Sequence, residues 1–111
     1  MYMKVFISMG MKSKSTEQVR VEMEKVFSYI EDKLPEAELV DSIINGAGTA
    51  IARRGDDLAM WYLAKSIEKM SEADIVFFVN NWQDFRGCVA ERKVAESYNK
   101  FCVDIEFNID K

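Results

Sequence analysis

The sequence predicts an α/β fold: a three-layer sandwich in which a mainly parallel sheet of about four strands has helices on both faces. Three observations carry that expectation. Asp74-Ile75-Val76-Phe77-Phe78-Val79 is a near-continuous apolar run rich in β-branched and aromatic residues. It is too short for a helix and reads as a strand buried on both faces, the kind found in parallel sheets. On either side of it, apolar residues recur at spacings of three and four, as on amphipathic helices. Strand-like and helix-like stretches alternate as βαβαβαβ, which implies parallel pairing and right-handed crossovers.

Each element has its own justification. Met3 to Met9 reads as the first strand, centred on Val5, Phe6 and Ile7, and Ser8-Met9-Gly10-Met11 makes a small-residue turn at its end. Ser15-Thr16-Glu17-Gln18 is a capping box, in which the hydroxyl and the amide satisfy free backbone donors. Val19, Met23, Val26, Phe27, Ile30 and Leu34 form one helical stripe, and Pro35, the sole proline, ends it. Ala37 to Asp41 is a short second strand. Asn45-Gly46-Ala47-Gly48-Thr49 is loop chemistry; it lacks the Gly-Lys-Ser/Thr triplet of a phosphate-binding P-loop. Asp56 and Asp57 suit the start of a second helix, with Leu58, Ala59, Tyr62, Leu63, Ile67 and Met70 as its apolar side. After the central strand, a third helix buries Ala90, Val94, Ala95, Tyr98 and Phe101. Cys102 to Phe107 alternates as an edge strand does.

Length and composition narrow the chemistry. The chain has 111 residues, which fits a single domain spanning 1–111, and 49% of them are hydrophobic, enough for a core. Net charge is −4, with cations interspersed among acids, so no basic face for a nucleic-acid polymer is visible. There is no signal-peptide pattern and no stretch long enough to span a bilayer. With two cysteines, Cys88 and Cys102, reduced thiols and a cytoplasmic location are the expectation. Histidine is absent, which removes Ser-His and Cys-His nucleophile systems and most zinc sites. Acid–base chemistry must come from Asp, Glu, Lys, Tyr or Cys.

Ligands of open α/β sheets bind where strands end and helices begin. The stretch after the central strand is therefore the place to look. Asn80 to Arg86 is polar and carries Trp82, Gly87 opens a helical pattern, and Glu91 lies near its first turn. Trp82 suits stacking on a flat ligand, or equally plugging the sheet end or an oligomer contact. Cys88, at a helix start where thiol pKa values fall, reads better as a small packing residue. Asp74 reads as a structural acid that binds backbone donors. Ser8 and Gly10, at the end of the first strand, face the same crevice.

Three blocks carry a family resemblance: MKVFISM, WYLAKSIEKMSEADIVFF and NWQDFRGCVAERKVAESY. In that order they resemble the short branch of the nucleoside 2-deoxyribosyltransferase-like family, related to 2′-deoxynucleoside 5′-phosphate N-hydrolases. The resemblance implies a flavodoxin- or Rossmann-like sandwich and cleavage of an N-glycosidic bond. It makes Glu91 the nucleophile that attacks C1′ of the deoxyribose. An oxocarbenium-like transition state needs a carboxylate on one face, and a helix N-terminus would keep that carboxylate ionised. Open N–H groups around Gly87 and Cys88, with Arg86, would hold a 5′-phosphate. The family's catalytic aspartate falls at Ser66 and its first-strand tyrosine at Phe6. Asp84 is a candidate second carboxylate.

The expected function is therefore cleavage or transfer at the N-glycosidic bond of a small nucleoside or nucleotide. Glu91 is catalytic, and Phe6, Ser8, Gly10, Ser66, Trp82, Asp84, Arg86 and Gly87 bind substrate. No metal or other cofactor is implied. Relatives of this kind complete their sites across subunits, so a homodimer or larger homo-oligomer is expected, using the helix of Trp61 and Tyr62. The alternative is a nucleotide-binding module that kept the pocket and lost the chemistry, or a structural subunit of the same fold.

Overall fold

Period-two alternation in the strands sets up two buried faces, and the chain places helices on both. In the computed structural model, which describes residues 2–10, 14–41 and 55–106, the strands are β1 (Met3–Ser8), β2 (Ala37–Leu39), β3 (Ile75–Val79) and β4 (Phe101–Ile105). The helices are α1 (Thr16–Lys33), α2 (Gly55–Met70) and α3 (Arg86–Ser97), with a 3-10 turn at Trp82–Asp84. The sheet order is β2-β1-β3-β4 and every pairing is parallel. This is the small α/β sandwich the sequence predicts. Among the described residues no helix is long and apolar enough to cross a membrane.

Val5, Ile7 and Met9 of the first strand and Phe77 and Val79 of β3 point to one face. There they meet Val19, Met23, Val26 and Ile30 of α1. Phe6, Val76 and Phe78 point to the other, against Met70 of α2 and Ala95 of α3. The apolar run of β3 is central: Val76 and Phe78 are fully buried. The capping box of α1 forms as read, Ser15 Oγ accepting from Gln18 N–H at 3.1 Å and Gln18 Oε1 from Ser15 N–H at 2.8 Å. Asp74 accepts the Lys4 N–H at 2.9 Å, the structural role expected of it. Lys100 Nζ donates to the carbonyls of Ser71 and Ala73, tying the start of β4 to the turn before β3.

Several expectations need correction. The third helix ends at Ser97, and Asn99, at φ 62°, turns the chain into β4; asparagine tolerates that left-handed conformation. Tyr98 and Phe101 are therefore exposed instead of buried in that helix. Tyr62 and Ala59, on the supposed inner side of α2, are exposed, while Asp56 and Asp57 do lie in its first turn, as the sequence suggests. The Asn45–Thr49 loop and Phe107 lie outside the described residues.

Candidate functional site

Strand order reverses between β1 and β3, which leave side by side with a helix behind each: α1 on one face, α3 on the other. That switch point is where open α/β sheets bind ligands. Ser8 is the last residue of β1, two positions after Phe6, so its side chain points to the α2/α3 face. It is buried, as is Glu91 of α3, and these two are the buried polar side chains among the described residues.

They meet. The Ser8 hydroxyl donates to Glu91 Oε1 at 2.8 Å. From α2, the Ser66 hydroxyl donates to Glu91 Oε2. Residues from a strand end and two helices thus converge on one carboxylate, and each of its oxygens has a hydroxyl. Burial pushes the Glu91 carboxyl above the ordinary glutamate range, and the Ser66 and Ser8 hydrogen bonds pull part of that shift back. A buried carboxyl with a raised pKa at a strand-end switch point is a candidate functional group.

The position of Glu91 in the helix corrects one expectation. The third helix begins at Arg86, so Glu91 sits in its second turn. The helix dipole acts within the first turn; here burial and two hydroxyls set the carboxyl's protonation. Cys88 is the small packing residue that the sequence suggests. Its thiol is pushed up to about 11, chiefly by burial, with the Glu91 charge adding and a hydrogen bond with Ser8 opposing. It is a packed, protonated thiol beside the site.

Other candidate residues fall in three places. Phe6 is in the core beneath Ser8 and presents no hydroxyl to Glu91. Trp82 is fixed on the β4 side. Its indole N–H donates to Asp104 at 3.0 Å, its ring packs on Phe78, and Arg92 lies over both rings while pairing with Asp104 and Glu96. That network holds the tryptophan against the sheet. Asp84 is exposed in the 3-10 turn. Arg86, at the first position of the third helix, pairs with Asp56 of α2 at 2.8 Å. Gly87 lies in the first turn, where no side chain caps the helix, and a Cβ on it would meet nothing within 4 Å.

Gly10 shows the residue that sequence reasoning missed. A Cβ at Gly10 would stand 2.3 Å from the ring of Phe85. Phe85, a lone aromatic between a polar loop and a helix, gave no periodic or motif signal. Among the described residues no cluster of three or more His, Cys, Asp or Glu forms a metal site. Compared with family models, curated proteins and solved structures, the chain gives no match.

Proposed function

We propose that this domain cleaves the N-glycosidic bond of a deoxynucleoside or its 5′-monophosphate, as a nucleoside 2-deoxyribosyltransferase-like protein, with Glu91 as the nucleophile. One observation carries the proposal. Ser66, the position at which the family's catalytic aspartate falls, hydrogen-bonds the very carboxylate that the resemblance makes the nucleophile, and Ser8 holds its other oxygen. Three positions far apart in sequence thus meet at one carboxylate.

The chemistry follows from the geometry. Glu91 in its ionised form attacks C1′; the C1′–N bond breaks, its electron pair stays on the base nitrogen, and a carboxylic ester to the sugar forms. Water or a second base then attacks C1′ and frees the carboxylate. The two hydroxyls fix the carboxylate's orientation, so little is lost to reorganisation. The uncapped N–H groups at the start of the third helix suit a 5′-phosphate. Arg86 would exchange Asp56 for it, a cheap exchange because that ion pair is largely exposed. The protein is further proposed to act in the cytoplasm as a homo-oligomer, with Met60 and Tyr62, both exposed on α2, in the contact. Light scattering that finds only monomer at micromolar concentration would remove the assembly.

Incubation with the four deoxynucleosides and their monophosphates tests the reaction. Free base should appear with at least one of them. A second reading is a binding module without chemistry. It is favoured by Ser66, which lacks the carboxylate of the resembling family's catalytic aspartate, and by Phe6, which lacks the hydroxyl of the tyrosine that helps position the family's nucleophile. Thermal stabilisation by a deoxynucleotide, with no base released, would select that reading; neither effect would leave a structural subunit.

A further inference from the structure

Phe85 joins the 3-10 turn to the third helix, and its main chain is held from both sides. Its N–H donates to the Trp82 carbonyl at 3.1 Å, and its carbonyl accepts from Val89 N–H at 3.0 Å. Neither hydrogen bond involves the ring. It lies on Gly10, so close that a single methyl there would overlap it. Gly10 has no positive φ; what the position requires is room for the ring. Gly10 follows Ser8 by two residues, and Cys88, one helical turn after Phe85, touches Ser8 from the other side. Gly10, Ser8, Cys88 and Glu91 are all buried, and Phe85 is half-buried.

We propose that Phe85 controls access to the Glu91 site: its ring must leave Gly10 before a ligand reaches Ser8 and Glu91. The third helix and the strand end stay fixed while the ring turns about its side-chain bonds. The ring then forms the wall against which the ligand rests, which makes Phe85 a specificity-determining residue of whatever chemistry the site performs. This inference rests on the site's geometry and stands apart from the glycosidic reading.

Cys88 reports the opening directly. In a Cys102→Ser background, the rate at which 5,5′-dithiobis(2-nitrobenzoate) labels Cys88 measures how often the site opens. Phe85→Ala should raise that rate by about tenfold or more, since labelling follows the population of the locally open form. Gly10→Ala, which expels the ring, should act in the same direction, and Phe85→Tyr should stay near the parent. Val26→Ala, on the opposite face of the sheet, controls for general loosening. At stability matched by denaturant titration, it should label more slowly than Phe85→Ala. Labelling of Phe85→Ala at the parent rate, or of Val26→Ala just as fast at equal stability, would overturn the proposal.

Discussion

The two faces of the sheet are built from the same strands and differ in one respect. On the α1 face, Val5, Ile7, Met9, Phe77 and Val79 meet an all-apolar helix stripe. On the other face, Phe6, Val76 and Phe78 start the same way, but the β1 row ends in Ser8, and Glu91 and Ser66 close over it. One face only stabilises. The other stabilises over most of its length and turns polar at its last position, so the site is the end of a core row instead of a separate element. The cost is a buried carboxyl, whose pKa burial raises.

That contrast can be broken from either side. The largest expected effect is Glu91→Gln, which should cut base release by about a thousandfold or more while the protein stays folded, because an amide cannot form the sugar ester. The same variant tests the cost. A carboxyl whose folded pKa is raised contributes its full stability below the unfolded value of about 4.5 and loses it as pH rises toward the folded value. Glu91→Gln should therefore gain on the wild type between pH 4 and pH 7 in denaturant titrations. A constant difference across that range would show that the carboxyl is not strained by burial.

Ser66→Asp comes next. It would place a second carboxylate against Glu91, so that the pair shares a proton and titrates in two steps. Base release should rise by about a hundredfold, with a bell-shaped pH profile. A rate below wild type at every pH would mean that the hydroxyl is the group this site requires.

Smaller effects sharpen the two-face comparison. Ile30→Ala, on the α1 face, should cost about 2–5 kcal/mol of stability and leave kcat unchanged. Ser8→Ala should cost about 1–3 kcal/mol, the price of leaving Glu91 Oε1 unpaired, and should also lower kcat. If Ile30→Ala, still folded, impaired kcat as much as Ser8→Ala does, the division between the faces would fail. Arg92→Ala should be mildest, about 1 kcal/mol, with a red shift in fluorescence as Trp82 loses its cover.

Elements governed by local rules could be read from the sequence. The capping box of α1, the buried run of β3 and the helix stripe of Val19 to Ile30 depend on near neighbours, and they stand where the spacing puts them. Glu91 stands out in the sequence by its place after the central strand, but its contacts with Ser8 and Ser66 do not. What was hidden depends on partners from other elements. The fixing of Trp82 needs Asp104 from β4 and Arg92 from the third helix. The Phe85 contact needs Gly10 from the end of the first strand. The start of the third helix at Arg86 was missed because Gly87 reads as a break, yet glycine is tolerated in a first turn. The sparse burial of α2, where Met70 alone is fully covered, was overestimated because an apolar stripe does not say how much of it is met.

The central claim, that Glu91 makes the covalent bond, has a direct measurement. Trypsin cuts after Arg86 and Arg92, and the peptide Gly87–Arg92 carries Glu91 as its one acidic side chain. The protein is incubated with the deoxynucleotide from which it releases base, quenched in acid during turnover, digested and analysed by mass spectrometry. Expected is a fraction of this peptide heavier by one 2-deoxyribose 5-phosphate unit, with fragmentation placing the mass on Glu91. Base released while the peptide stays unmodified, or the added mass on Cys88, would contradict the account.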